Sequence, residues 1–139
     1  MIWKKKYSLE QMNLLSQNTA ISHLAIQFSA QGENWLEATM PVDQRTIQPM
    51  GFLHGGLSVA LVETIGSMAG FCCINENQFV LGLEINANHL RPVKQGIVTA
   101  RATPIHLGTR TQVWQIEIKD QQDQLCCLSR LTLSVGNHE

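Results

Sequence analysis

From Thr46 through Asn75 the chain carries a single formal charge, the carboxylate of Glu63, and this stretch constrains the fold more than any other. Between His54 and Ile74 it reads as one long helix, because Leu57, Leu61, Ile65, Met68 and Cys72 recur at steps of four or three. Asn75-Glu76-Asn77 ends it. The opposite stripe, Gly56, Ala60, Glu63, Ser67 and Gly70, is small apart from Glu63, so the helix is apolar or small nearly all round. A helix of that kind has to be wrapped on more than one side. A carboxylate at its middle is costly in lipid, which argues for protein rather than a membrane as the wrapping.

Strands supply it. Leu24 to Val42 reads as two strands around a turn at Gln31-Gly32-Glu33-Asn34, with Ile26, Phe28, Trp35, Leu36 and Thr39 as β-compatible residues. After the helix come Phe79 to Arg91, Ile97 to His106, Thr111 to Lys119 and Leu125 to Val135. The separators are Pro92-Val93-Lys94-Gln95-Gly96, Leu107-Gly108-Thr109-Arg110 and Asp120-Gln121-Gln122-Asp123. Three successive tight turns imply an antiparallel meander, so the expected class is α+β: one long central helix against one large curved antiparallel sheet. Ser8-Leu9-Glu10-Gln11 has the form of a capping box and predicts a short opening helix. Asp43 to Gly51 is rich in turn formers and reads as irregular.

At 139 residues, residues 1–139 are expected to form one domain. Hydrophobic residues make up 44% and charged residues 15%, which excludes a disordered chain. A net charge of -1 offers no overall field for nucleic acid, and none is expected as a partner. The start, Met1-Ile2-Trp3-Lys4-Lys5-Lys6-Tyr7-Ser8, has no apolar run behind its basic cluster, so a cytoplasmic location is expected. Cys72-Cys73 and Cys126-Cys127 match neither a redox motif nor a zinc knuckle and read as small buried hydrophobes. No histidine pair has metal spacing, so no metal is expected.

Glu63, mid-helix among small and apolar residues, is the candidate for chemistry, because burial raises a carboxyl pKa and poises the group as base or nucleophile. A Glu hydrogen-bonded to a neighbouring loop as a structural peg is the plain alternative. His54-Gly55-Gly56 stands at the helix start, where glycine lets a ligand approach the N–H groups left free in the first turn. Glu63 lies roughly 12 Å further along at ~1.5 Å per residue, so one helix cannot bring both to one carbonyl without a bend or a second protomer. Ser67, one turn after Glu63, either orients the carboxylate or is a small packing residue.

Gln48-Pro49-Met50-Gly51-Phe52-Leu53-His54-Gly55-Gly56, followed by Glu63, resembles the signature of hotdog-fold acyl-CoA thioesterases. Gly82 to His89, Arg91-Pro92, and His106-Leu107-Gly108-Thr109-Arg110 are similar to strand and loop motifs of the same family, so the resemblance covers nearly the whole chain. Within the family, a Glu at the helix position resembles the Arthrobacter-type 4-hydroxybenzoyl-CoA and the 1,4-dihydroxy-2-naphthoyl-CoA thioesterases. Met1 to Lys4 and Leu36 to Asp43 look closest to the latter, an enzyme type of menaquinone synthesis. The resemblance implies a hotdog fold and hydrolysis of an aromatic acyl-CoA, with no cofactor beyond the coenzyme A of the substrate. It implies Glu63 as nucleophile or general base, the Gly55 N–H polarising the carbonyl, and Gln48 and His54 assisting, with Ser67 where some relatives have Thr. Coenzyme A would lie along Gly82, His89, Leu90, Arg91 and Pro92, and along His106, Leu107, Gly108, Thr109 and Arg110. The family's helix start meets the Glu of a dimer partner, so a homodimer with shared sites is expected, assembled as a dimer of dimers. The strand Phe79 to Arg91 is the expected pairing edge.

Plainer readings stand beside these. His89 alternates with Leu83, Ile85 and Ala87 as a core histidine would; Arg91 and Arg110 fit solvated turns; Lys4-Lys5-Lys6 fits a solvated face. Gly56-Leu57-Ser58-Val59-Ala60 is a degenerate nucleophile elbow, but no strand precedes Ser58. A dimer that binds acyl-CoA or an aromatic ligand without turnover uses the same pocket.

Overall fold

The computed structural model describes all residues from Met1 to Glu139. The helix expected from the long uncharged stretch is α3, Gly55–Cys72, and it lies against a six-stranded antiparallel sheet. The strands are β1 Gln27–Gln31, β2 Leu36–Val42, β3 Gln78–His89, β4 Gly96–Leu107, β5 Thr111–Lys119 and β6 Leu125–Asn137, in the spatial order β1-β2-β4-β5-β6-β3. β5 alternates buried and half-buried along its length, as a strand with one face on the core should. A single cluster of buried apolar side chains joins Leu61, Val62, Ile65 and Ala69 of α3 to Ala38, Val98, Trp114, Ile116, Leu131 and Leu133 of the sheet.

The expected meander holds for β4, β5 and β6 and fails for β3. Chain order predicts β3 beside β4, yet β3 pairs with β6 at the far edge. The connector through Pro92 is therefore a crossing rather than a hairpin. The N–H groups of Leu90 and Arg91 donate to the Cys126 carbonyl, and the Val93 carbonyl accepts from Leu53 N–H before Gly96 reaches Val42. The side chains explain this order: β4 buries Val98, Ala100 and Ala102 and fits between two neighbours, whereas β3 presents Glu84, Asn86 and Asn88 to solvent.

The two sheet edges differ. Alongside β1 runs the opening helix α1, Leu9–Leu15, started by the predicted capping box of Ser8 and Gln11. From it the Asn13 amide donates to the Phe28 carbonyl at 3.1 Å and accepts from Phe28 N–H at 2.8 Å, taking the place of a neighbouring strand. A second helix not expected from the sequence, α2 Ala20–His23, follows with its own Thr19 cap. It is one turn long, too short for periodicity to reveal. β3 has no such cover, and Leu81 and Leu83 on it are 61% and 62% exposed.

Within one protomer the wrapping of α3 is less complete than its composition predicts. Leu61, Ile65 and Cys72 are buried as expected, with Leu57 and Met68 only partly so. Gly66 and Gly70 let the helix press onto β6, since a Cβ there would lie 2.4 Å from side-chain carbons of Leu131 and Leu133 respectively. Gly56 and Glu63 face outward. At the other end of the helix the N-terminal segment covers it, with the N–H groups of Lys4 and Lys5 donating to the Cys72 carbonyl at 2.8 and 3.0 Å. The solvated lysine face expected there is corrected at Lys5, which is buried with its ammonium 3.7 Å from the centroid of the Phe71 ring.

Candidate active site

The helix start is organised by the loop before it. Gln48 folds its side-chain carbonyl inward to accept from Met50 N–H at 2.5 Å, while Gly51 takes a φ of +90° that suits glycine. That leaves the amide NH2 of Gln48 as its free donor. His54 is the N-cap of α3, and its Nδ1 accepts from Gly56 N–H at 2.9 Å. The Leu57 and Ser58 N–H groups donate to the His54 carbonyl, but the Gly55 N–H has no acceptor within the chain. An unpaired donor at a helix N-terminus favours a partial negative charge. The His89 ring packs against Gly55: a Cβ at residue 55 would lie 3.0 Å from His89 Nε2. A cavity of about 410 Å³ opens here, and Gln48, Gly55, His89, Leu90, Arg91 and Pro92 are in its wall. The exposed His89 is thus no core histidine.

Glu63 occupies a different place. It is exposed in the protomer, which corrects the expectation of a carboxylate desolvated by its own chain. Its Oε2 lies 2.6 Å from where a Gly82 Cβ would stand, so glycine at 82 makes room for the carboxylate. A second cavity, of about 560 Å³, is bounded by Glu63, Thr64, Ser67, Met68 and Phe71 of α3 and by Leu15 and Ile21. No residue is common to the two cavities. The eight-residue separation argued from the sequence therefore appears in the fold as two separate cavities along one helix.

The residues expected along coenzyme A divide in the same way. His89 pairs with Cys127, while the row that holds Gly82 runs through Leu133 and Gln112 to Leu107. The His106 to Arg110 turn thus lies at the Gly82 end of the sheet, about 20 Å from His89 at ~3.3 Å per strand residue. Within one protomer these two groups do not meet, and His106, Leu107, Thr109 and Arg110 are exposed. Arg91 is exposed at the helix-start cavity. Sequence reading missed Lys94, whose ammonium stands 5.3 Å from the ring centroid of Phe52, itself in that cavity wall. It also missed Leu15 and Ile21, which no helix or strand period connects to Glu63.

Other nucleophiles near the cavities are poorly placed. Ser58 lines the first one but is buried in the opening turns of α3 with a loop before it, not the strand an elbow requires. Cys126 lines it too, and burial together with the Asp120 charge pushes its thiol pKa up, favouring the unreactive protonated form. All four cysteines are free and buried, and desolvation raises Cys72 to about 11 and Cys73 to about 12. A charged cleft on the sheet, with Glu37, Arg101 and Glu117 in its wall, holds none of the expected site residues, and Arg101 there is paired with Glu37 at 2.7 Å.

An antiparallel sheet around a central helix, with a free N–H at the helix start and a carboxylate two turns on, is the hotdog architecture of thioester hydrolases. The chain belongs to the thioesterase superfamily, whose sequence profile matches residues 50–127, and it is a thioesterase. Its structure superposes on the crystal structure of a thioesterase from Haemophilus influenzae with a TM-score of 0.97 and 64% identity, covering 99% of this chain and 96% of that one. A Pasteurella multocida protein named as an esterase is 98% identical over the full length of both chains. The 1,4-dihydroxy-2-naphthoyl-CoA hydrolase of Escherichia coli is 53% identical, over 97% of this chain and 99% of its own. The proofreading thioesterase EntH of Cronobacter turicensis is 50% identical, over 97% and 98%.

Proposed function

We propose that the protein hydrolyses the thioester of an aromatic acyl-CoA, 1,4-dihydroxy-2-naphthoyl-CoA or a similar aryl-CoA, to the free acid and coenzyme A, at sites shared between two protomers. The observation that carries the shared site is the separation on α3 of the unpaired Gly55 N–H from Glu63, and the aryl-CoA substrate is favoured by the 53% identity to the Escherichia coli hydrolase. A pair of copies related by a twofold axis near the middle of β3, about Ile85 and Asn86, extends the sheet through its uncovered edge. Antiparallel pairing there sets the His89 end of one copy against the Gly82 end of the other, and so one helix start against the other Glu63.

In such a site the Gly55 N–H and the helix N-terminus stabilise negative charge growing on the thioester oxygen. The Gln48 amide donates to the substrate, and His54 holds the first turn in shape through Gly56 N–H. The Glu63 carboxylate either attacks the carbonyl carbon, giving a mixed anhydride that water then hydrolyses to the free acid and Glu63, or takes a proton from the attacking water; both routes start from its anion and break the C–S bond, and the departing thiolate takes up a proton from water or from Glu63. Ser67 donates to that carboxylate or to the water. Arg91, with His89, Leu90 and Pro92, meets coenzyme A phosphates at the helix start. His106 to Arg110, at the Gly82 end of the sheet, serves the same molecule only from another protomer, and the dimer partner presents that end. With 1,4-dihydroxy-2-naphthoyl-CoA as its substrate the enzyme would serve menaquinone synthesis, in the cytoplasm.

A proofreading role is the second reading, favoured by the 50% identity to EntH. Proofreading requires breadth, whereas a biosynthetic step requires preference. A panel of naphthoyl, benzoyl and straight-chain acyl-CoA esters, read by released thiol, separates them. The proposal expects kcat/KM for the naphthoyl ester to exceed the straight-chain esters by at least ~10²-fold. Near-equal values across the panel overturn it in favour of proofreading.

A further inference from the structure

The cavity beside Glu63 has two walls of different origin. One is α3; the other is made by Leu15 and Ile21, which precede the first strand. That second wall is braced at several points. Met12 is fully buried beneath α1, and Asn13 ties it to Phe28 through both amide atoms. The Thr19 hydroxyl donates to the Ser16 carbonyl at 2.6 Å and accepts from Ile21 N–H at 3.2 Å. Asn18 and Ala25, at φ of 61° and 56°, turn the chain on either side of α2. A left-handed Ala sets its Cβ against the following carbonyl oxygen, so this path is maintained against local preference.

The end of the cavity is braced as well. Phe71 is held from behind by the Lys5 ammonium, 3.7 Å from its centroid, and by the edge of the Tyr7 ring at 5.4 Å and 78°. The space beside the carboxylate is thus flanked by Ile21, Leu15, Met68 and Phe71, apolar side chains around an otherwise polar reacting group. Leu15 is 56% exposed, a cost that an apolar occupant removes.

We propose that Leu15 and Ile21 are specificity-determining residues, forming a rigid wall that clasps the acyl group against α3 and favours a flat ring over a flexible chain. This rests on the reading of Glu63 as the reacting carboxylate. A rigid slot gains from a planar group that loses little freedom on binding, whereas a straight chain loses rotamer freedom at every bond. Apolar wall contacts are made in ground and transition states alike, so they act chiefly through KM.

The test compares full-length Leu15→Ala, Ile21→Ala and Ile21→Trp with wild type on naphthoyl-CoA, octanoyl-CoA and acetyl-CoA, with Glu63→Gln as control. The two alanine variants are expected to lower the naphthoyl-to-octanoyl ratio of kcat/KM by about tenfold, through the naphthoyl KM. Ile21→Trp should lose naphthoyl turnover and retain acetyl turnover. Where an alanine variant fails to assemble, Leu15→Met and Ile21→Val are used, and a threefold change of ratio supports the proposal. Ratios within twofold of wild type in every assembled variant overturn it, even if Leu15→Ala weakens the dimer. If the ratios move while Glu63→Gln stays active, the wall stands and the Glu63 assignment fails; unmoved ratios with an inactive Glu63→Gln give the converse.

Discussion

In the proposed mechanism Glu63 and Gly55 divide the chemistry between a charge and a dipole, and each can be removed with little else changed. Glu63 is exposed in its protomer, so Glu63→Gln should leave folding stability within about 0.5 kcal/mol of wild type. Its kcat should drop by at least ~10³, the scale of a lost nucleophile or principal base, as read by thiol release from the assembled enzyme. Glu63→Asp keeps the charge and should retain part of the activity. Gly55→Ala keeps the N–H but sets a Cβ 3.0 Å from His89 Nε2, so the imidazole must shift and kcat should fall by about tenfold with the melting temperature little changed. The buried thiols make a separate prediction. Burial raises Cys72 to about 11 and Cys73 to about 12 from 9.0, so below pH 9 both states keep these protons and stability is full. Above pH 9 the unfolded thiols ionise ahead of the folded ones, and stability falls as pH rises up to about 11 for Cys72 and about 12 for Cys73. A melting series should show this slope reduced in the Cys72→Ala Cys73→Ala variant, and an unchanged slope contradicts it.

At the scale of elements, the approach of α3 to β6 sets the core. Alanine at 66 gains about 1 kcal/mol of helix propensity, but its Cβ would lie 2.4 Å from the fully buried Leu131 Cδ2, and overpacking of that kind costs about 1–3 kcal/mol. The clash wins, because Leu131 is fully buried and Ile116 Cδ1 crowds the same Cβ position at 3.4 Å. Gly66→Ala should therefore be less stable by about 1 kcal/mol in denaturant titration, and a gain in stability would show that the helix simply moves off the sheet. Beside it, Gln112 donates to the Gly70 carbonyl at 3.3 Å and accepts from the Trp114 indole at 2.9 Å. Replacing Gln112 by Leu strands the Trp114 N–H in the core, which costs about 1–3 kcal/mol.

For the whole molecule the question is what covers the open β3 edge and brings the two cavities together. The β1 edge is capped by Asn13, and the β3 edge is open with Leu81 and Leu83 exposed. Light scattering should find an oligomer, with no activity in any fraction near the 15.5 kDa protomer mass. Breaking the edge with Ile85→Pro removes a ladder N–H and should lower both mass and turnover together. An active monomer would remove the shared site. Arg91→Ala and Arg110→Ala, at opposite ends of the sheet, should each raise KM for acyl-CoA and leave kcat unchanged, since phosphate contacts hold ground and transition states alike. An effect of Arg91→Ala alone would confine coenzyme A to the helix start.

Local pattern by itself determined the elements: the capping box at Ser8, the α3 stripe through Leu61 and Ile65, and the later strands, whose ends it missed by two residues at most. Repeats of two and of 3.6 residues are set by backbone geometry, and a single chain displays them directly. The separation of Gly55 from Glu63 was legible for the same reason, as helical rise. What the tertiary structure alone decided is which distant segments meet. β3 leaves its sequence neighbour for β6, and with it Gly82 moves to Glu63 and the His106 to Arg110 turn moves away from His89. Lys5 reaches Phe71, and Leu15 and Ile21 reach the cavity of Glu63. These contacts join residues far apart along the chain, and their cost and gain are settled by packing the sheet as a whole, where no local period records them.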